Sequence, residues 1–167
     1  IRDRRLGHFH RLVVAGGDGS LHLVVEHLHR RGELADADLA LVPLGTGNDL
    51  ARAHPDWILG PGPRLPLASR QQQVLDLGNP DAFAYVLARL DALLSEYDIS
   101  YLKWDHNRDL LEAGAGPAHT PGVHVQTLAL YRLLDDLRAK HPDVEIESCS
   151  SGGLRIDLEI LEHTDRV

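Results

Sequence analysis

Residues 79–104 read NPDAFAYVLARLDALLSEYDISYLKW, and this stretch decides the fold. Asn79 and Pro80 are typical of a helix start, because asparagine caps the amino end and proline lacks only a hydrogen bond that the first turn does not make. The apolar residues that follow have helical spacing: Phe83, Val86, Leu87, Leu90, Leu93, Leu94 and Tyr97. The apolar run Ile99–Trp104 then predicts a strand.

The same alternation of strands and helices extends over the whole chain. Further strands are predicted at Arg11–Gly16, Asp38–Pro43, Gln72–Leu77 and Val144–Cys149. Further helices are predicted after Ser20, from Thr120-Pro121 and near Arg155–Glu162, and Arg166-Val167 resembles the start of one more strand. The fold class is therefore α/β, with about five parallel strands, intervening helices and right-handed crossovers. An open flavodoxin-like sheet is favoured over a partial (β/α)8-barrel sheet, because a closed barrel needs about eight strands.

Composition restricts the classes of function. The chain has 167 residues, a single cysteine and a formal net charge of -8. A disulfide framework is excluded, and the acidic balance argues against nucleic acid or an anionic membrane as a partner. Without a long apolar run we expect no membrane span and a cytoplasmic location. The first residue is Ile1 rather than methionine, so we interpret the chain as a fragment.

Two glycine-rich loops follow the first two predicted strands, at Gly16–Ser20 and at Gly45–Asp49. Glycines let backbone N–H groups approach an anion, and a helix amino end adds a favourable dipole. One such loop is most often only a tight turn. Two of them on successive parallel strands, each with a carboxylate, favour a phosphate site.

The sequence motifs GGDGS and PLGTGNDLAR, within about residues 12–52, resemble those of the catalytic domain of the diacylglycerol kinase and sphingosine kinase family. The resemblance implies ATP and Mg²⁺ as cofactors if the loops are functional. It implies that ATP phosphates are bound by Gly17, Gly19 and Ser20, and that Asp18 serves the metal or the acceptor hydroxyl. It also implies a nucleotide site lined by Gly45, Thr46, Gly47 and Asn48. The lipid-binding domain of that family has no counterpart after Arg52, so kinase activity is not expected.

A second group of polar residues, Lys103–Arg108, lies at the end of a predicted strand. A lysine beside a carboxylate favours the charged carboxylate, which suits a nucleophile. An ordinary surface ion pair explains the same residues equally well.

The words YLKWDHNRD and IESCSSGGLRIDLEIL resemble glycoside hydrolase family 36, the retaining alpha-galactosidases on a (β/α)8 barrel, over about residues 49–167. The resemblance implies that Asp105 is the nucleophile and that Lys103, Cys149 and Gly152 face the sugar, a galactoside. Retention needs a second carboxyl group roughly 5 Å from the nucleophile. In the family it follows the next strand, and neither Asp157 nor Asp165 matches its motif. The histidines do not converge, so no metal site is expected.

The two resemblances predict a chimera with residues 1–53 from a kinase-like fragment and residues 54–167 from a glycosidase barrel, merged into one domain. Three functions stay open: a glycosidase fragment without its acid, an ATP- or phosphate-binding module, and a structural chimera without activity. We expect Trp57 and Ile58 to pack onto a sheet edge or helix face, since they are too apolar for water. If a sheet edge stays exposed, a homodimer through that edge is the alternative.

Overall fold

The main sheet has four parallel strands within the part of the chain that the structure describes. The computed structural model describes residues 11–15, 30, 38–42, 53–62, 64–67, 73–106, 109–116, 118, 120–150 and 156–167. Its strands are β1 Arg11–Ala15, β2 Asp38–Val42, β3 Tyr101–Asp105, β4 Gly114–Ala115, β5 Thr120–Pro121 and β6 Glu145–Cys149. The order in the sheet is β2-β1-β3-β6, and β4 and β5 form a separate antiparallel pair.

Within the described ranges, three α-helices with defined bounds accompany the strands: α1 Pro80–Glu96, α2 Val123–Lys140 and the short α3 Ile160–His163. The predicted start of α1 is confirmed, because the Asn79 side chain accepts hydrogen bonds from the backbone N–H groups of Asp81 and Ala82. These bonds satisfy two of the donors that a helix start leaves without partners.

The core lies between α1, α2 and one face of the sheet. Leu102 and Trp104 of β3 and Ile146 of β6 are buried in a cluster with apolar side chains of both helices. The α1 members are Phe83, Val86, Leu90 and Leu94, and the α2 members include Leu130, Leu133, Leu134 and Leu137. Because side chains alternate along a strand, Tyr101, Lys103 and Asp105 lie on the opposite face. We call this opposite side of β3 and β6, on which the described helices α1, α2 and α3 do not pack, the helix-free face.

The predicted strand at Gln72–Leu77 is not a strand of the sheet. Of its described residues, Leu75 alone forms a bridge, an antiparallel one with Ile58. The backbone of this segment pairs instead with residues 57–59 and with Gln126 of α2, whose side chain accepts from Leu77 N–H at 2.8 Å and donates to the Leu75 carbonyl at 2.9 Å. Its hydrogen-bonding groups are thus satisfied outside the sheet.

Two helix starts also differ from expectation. Thr120-Pro121 forms the short strand β5 instead of the first turn of α2, which Gly122 precedes. The last predicted helix is confined to Ile160–His163 among its described residues. The packing expected of Trp57 is confirmed: it is buried, and its ring lies 5.5 Å from that of Tyr85 on α1.

The strand order places β1 between β2 and β3. A (β/α)8 barrel has neighbouring strands in chain order, whereas flavodoxin-like sheets begin 2-1-3-4. Arg166 pairs with Glu147 in a parallel bridge, so the predicted start of a further strand lies beside β6. The described residues therefore form an α/β sheet of four parallel strands, whose order differs from their order along the chain.

Candidate active site

The carboxyl ends of β3 and β6 bring three of the predicted site residues together. In the parallel register Asp105 lies opposite Cys149, and Lys103 lies opposite Glu147. Lys103 and Asp105 are two residues apart on β3, and Glu147 and Cys149 are two residues apart on β6. Because side chains alternate along a strand, all four lie on the helix-free face. Asp105 and Cys149 are both half-buried. A ligand at this end of the sheet would meet a carboxylate, an ammonium group and a thiol side by side.

The Lys103 ammonium pairs with Glu147. Lys103 Nζ lies 2.9 Å from Glu147 Oε1, and the two side chains expose 26% and 21% of their surface. The Tyr101 hydroxyl donates a hydrogen bond to the other carboxylate oxygen, Oε2. The carboxylate is thus held on both oxygens by β3.

Arg166 lies beside the amino ends of β3 and β6. Its guanidinium donates to Glu145 and lies 5.8 Å from the centre of the Tyr101 ring. Burial raises the pKa of Glu147, and the nearby positive charge of Arg166 opposes that rise. A group that binds its proton more tightly than usual on this face shows that the surroundings are partly desolvated.

The loops that follow β3 and β6 are tied to each other. The His106 backbone N–H donates to the Cys149 carbonyl at 3.0 Å, and the Ser150 hydroxyl donates to the His106 carbonyl at 2.6 Å. These bonds continue the pairing of the two strands one residue past Asp105. They hold the residues around the carboxylate in a fixed arrangement.

Asp157 and Asp165, neither of which matches the motif of the second acid, have other partners. Asp157 accepts from the Tyr131 hydroxyl at 3.0 Å and from the Ile160 backbone N–H at 2.8 Å, where it supports the start of α3. Asp165 accepts from the Ile146 backbone N–H at 2.9 Å. Both carboxylates therefore orient backbone segments, which agrees with the absence of the acid motif around them.

Sequence reasoning missed Glu147 and Tyr101 as parts of the site. The alternation in VEIESC could have found Glu147, because it puts Glu145, Glu147 and Cys149 on one face. Gly152 lies outside the described residues. So do all residues of the predicted nucleotide site, Gly17, Asp18, Gly19, Ser20, Gly45, Thr46, Gly47 and Asn48, and their role stays a prediction.

The described ranges hold neither a metal site nor a membrane-spanning helix. No group of three or more histidine, cysteine, aspartate or glutamate side chains there could hold a metal ion. No helix in the same part of the chain is long and apolar enough to cross a membrane.

Comparison with known proteins identifies what this arrangement is similar to. A model of the Melibiase family matches residues 37–167. An alpha-galactosidase of Escherichia coli is 50% identical over 121 residues, 71% of this chain, and alpha-galactosidase C of Emericella nidulans is 38% identical over 120 residues, 72% of this chain. A GH36 alpha-galactosidase of Geobacillus stearothermophilus, solved with stachyose, superposes with a TM-score of 0.67 at 30% identity over 80% of this chain and 20% of its own.

The chain spans 16% of the length of each of those two curated relatives. The matched range begins at residue 37, so it includes β2 and the second glycine loop. The kinase resemblance finds no support in these comparisons, and neither does a junction between two parents. The glycosidase resemblance is supported.

Proposed function

The chain belongs to the Melibiase family, and on that premise we propose that it is the part of a retaining alpha-galactosidase that supplies the nucleophile, Asp105. Lys103 and Cys149 face the galactosyl group beside it. The expected ligand is the non-reducing galactose of an alpha-galactoside.

One observation carries this proposal. The register of β3 and β6 sets Asp105 opposite Cys149 at the carboxyl ends of parallel strands, on the face that no described helix covers. Substrates of folds built from parallel βα units bind at the carboxyl ends of the strands.

The chemistry assigned to Asp105 is a displacement at the anomeric carbon. A carboxylate oxygen forms a bond to that carbon while the bond to the leaving-group oxygen breaks, and water later hydrolyses the galactosyl ester. The leaving oxygen needs a proton from a second carboxylic acid about 5 Å from the nucleophile. Two roles in this reaction are assigned to the described residues: Asp105 is the nucleophile, and Lys103 contacts the sugar.

A sugar with an activated leaving group tests this assignment, because fluoride departs as an anion and needs no acid. We expect 5-fluoro-α-D-galactosyl fluoride to add one fluorogalactosyl group to the chain, and peptide mass spectrometry to locate it on Asp105. Asp105→Asn should abolish the labelling. Asp109→Asn, an exposed carboxylate on the following loop, should leave it unchanged. Absence of labelling, or a label that persists in Asp105→Asn, would overturn the assignment.

A further inference from the structure

Glu147 forms an ion pair with Lys103 and is largely buried. The roles proposed above for the nucleophile and the lysine do not account for this carboxylate. We propose that Glu147 is a positioning residue, whose carboxylate fixes the Lys103 ammonium beside Asp105 so that its remaining N–H groups point to the sugar. This inference rests on the proposed function.

The first support is the register of the strands. Lys103 and Glu147 lie directly opposite each other on neighbouring strands. Side chains in such a pair are neighbours on the same face, so the contact needs no unusual conformation of either chain. The 2.9 Å separation of Nζ and Oε1 is that of a charge-assisted hydrogen bond.

The second support is that the carboxylate is itself restrained. Tyr101, buried at 3% exposure, donates its hydroxyl to the second oxygen of Glu147. A lysine side chain loses considerable rotamer freedom when it is ordered. Tyr101 already holds one oxygen of Glu147, so the other oxygen can order the lysine side chain before the sugar binds. The entropic cost of ordering Lys103 then does not reduce the affinity for the sugar.

The third support is the placement of Lys103 relative to the nucleophile. Lys103 and Asp105 are two residues apart on one face of β3, where an ammonium can neutralise a nearby carboxylate. Pairing with Glu147 gives the ammonium a carboxylate partner on β6 instead. An ammonium has three N–H donors, so one bond to Glu147 leaves two for sugar hydroxyls.

Glu145 provides the matched control. It lies on the same strand and the same face, two residues before Glu147, but its partner is the Arg166 guanidinium. Glu145→Gln therefore removes one carboxylate charge from this face without touching the Lys103 pair. Glu147→Gln removes the same charge from the pair itself.

The chain suits a direct measurement because it has two lysines, Lys103 and Lys140. Lys140 lies in the last turn of α2 and pairs with Asp91, so it is an internal reference. With ¹³C-labelled lysine, NMR relaxation of the two Cε groups reports the order of each side chain separately. We expect Lys103 to be ordered in the wild-type chain and mobile in Glu147→Gln, whereas Lys140 stays unchanged. Glu145→Gln should leave both signals as they are.

Galactose binding supplies the functional readout. In the wild-type chain, D-galactose should shift the Lys103 Cε signal but not that of Lys140. Glu147→Gln should weaken that binding about tenfold or more, the size expected for one charge-assisted hydrogen bond. D-glucose, the 4-epimer, should give smaller shifts in both forms.

Acidification gives a third readout that a purely structural carboxylate would not produce. Protonation of Glu147 removes its charge, so Lys103 should become mobile as the pH falls through the raised pKa of Glu147. The described charged and titratable groups around Glu147 on this face are Tyr101, Lys103 and Asp105 of β3, Glu145 and Cys149 of its own strand, and Arg166. The transition should be absent in Glu147→Gln and present in Glu145→Gln.

The outcomes separate the two proposals. Lys103 that stays ordered in Glu147→Gln, or that loosens equally in Glu145→Gln, overturns the positioning role. Lys103 that loosens in Glu147→Gln while galactose shifts nothing in the wild type confirms the positioning of the lysine and overturns the proposed function. If Glu147→Gln does not fold, Tyr101→Phe, which releases the second carboxylate oxygen, should loosen Lys103 partially; an unchanged Lys103 there contradicts the inference.

Discussion

The two faces of β3 differ in burial and in charge. Leu102 and Trp104 point to α1 and α2, with 0% and 8% of their surface exposed. Lys103 and Asp105, between and beside them in sequence, carry charge on the helix-free face. The alternation of a single strand therefore separates the residues that hold the fold together from those available for chemistry.

The helix-free face is costly for charged groups. Burial raises the pKa of Glu147 there, which means that its ionised form is disfavoured. On the outer side of the helices the opposite holds: Lys140 and His141 lower the pKa of Asp91, a bridge between α1 and α2. The partners of Asp91 thus favour its charged form, whereas burial disfavours the charged form of Glu147.

Leu102→Ala should have the largest effect on stability, because it removes a fully buried side chain between sheet and helices. We expect a loss of about 2–5 kcal/mol in the free energy of unfolding, measured by chemical denaturation. Leu158→Ala removes the same atoms from a side chain that is 85% exposed and should cost less than about 0.5 kcal/mol. Equal losses in the two variants would contradict the burial of Leu102 between the sheet and the helices.

Asn79→Ala should weaken the helix layer alone. The variant removes the acceptor that caps α1, at a cost of about 1 kcal/mol, and Asn79→Asp should restore most of it. Because the cap lies far along the chain from the charged pair, galactose shifts at Lys103 should be unchanged in both variants. A loss of those shifts in a folded Asn79→Ala chain would show that the two faces are coupled.

The pH dependence of stability should show the smallest effect, with opposite signs on the two sides. A carboxyl group with a raised folded pKa loses stability as the pH rises from its ordinary value, 4.5 for Glu147, through the folded value. A group with a lowered pKa contributes stability above its ordinary value, 3.8 for Asp91, and loses it as the pH falls. Denaturation between about pH 4.5 and about pH 7 should show that Glu147→Gln removes a decline, and denaturation between about pH 2 and about pH 4 should show that Asp91→Asn removes a rise. Slopes of the same sign would contradict the account.

The sequence predicts the helical layer well because its patterns are local. The stripe from Phe83 to Leu94 and the Asn79 cap depend on residues within a few turns of each other, and both are confirmed. The apolar run at Gln72–Leu77 predicts a strand of the sheet, and this prediction is wrong. The backbone of the run makes its hydrogen bonds with the distant Gln126 and with residues 57–59. A local pattern cannot report a side chain about fifty positions away that takes over the backbone hydrogen bonds.

The site was predictable only in part for the same reason. The pattern of a single strand and the family motif within it predict Asp105 and Lys103. The pair of Lys103 with Glu147 depends instead on which strands are neighbours and in what register. Strand order is set by long-range pairing, and the position of β1 between β2 and β3 is likewise absent from any local pattern.

The central claim is that the sugar binds on the helix-free face, and intermolecular NOEs between D-galactose and the chain test it most directly. We expect NOEs from the sugar ring to the side-chain protons of Lys103 and Cys149, and none to the methyl groups of Leu102 or Ile146 on the covered face. Contacts to Leu102 or Ile146, or no contacts to either face at saturating galactose, would contradict the account.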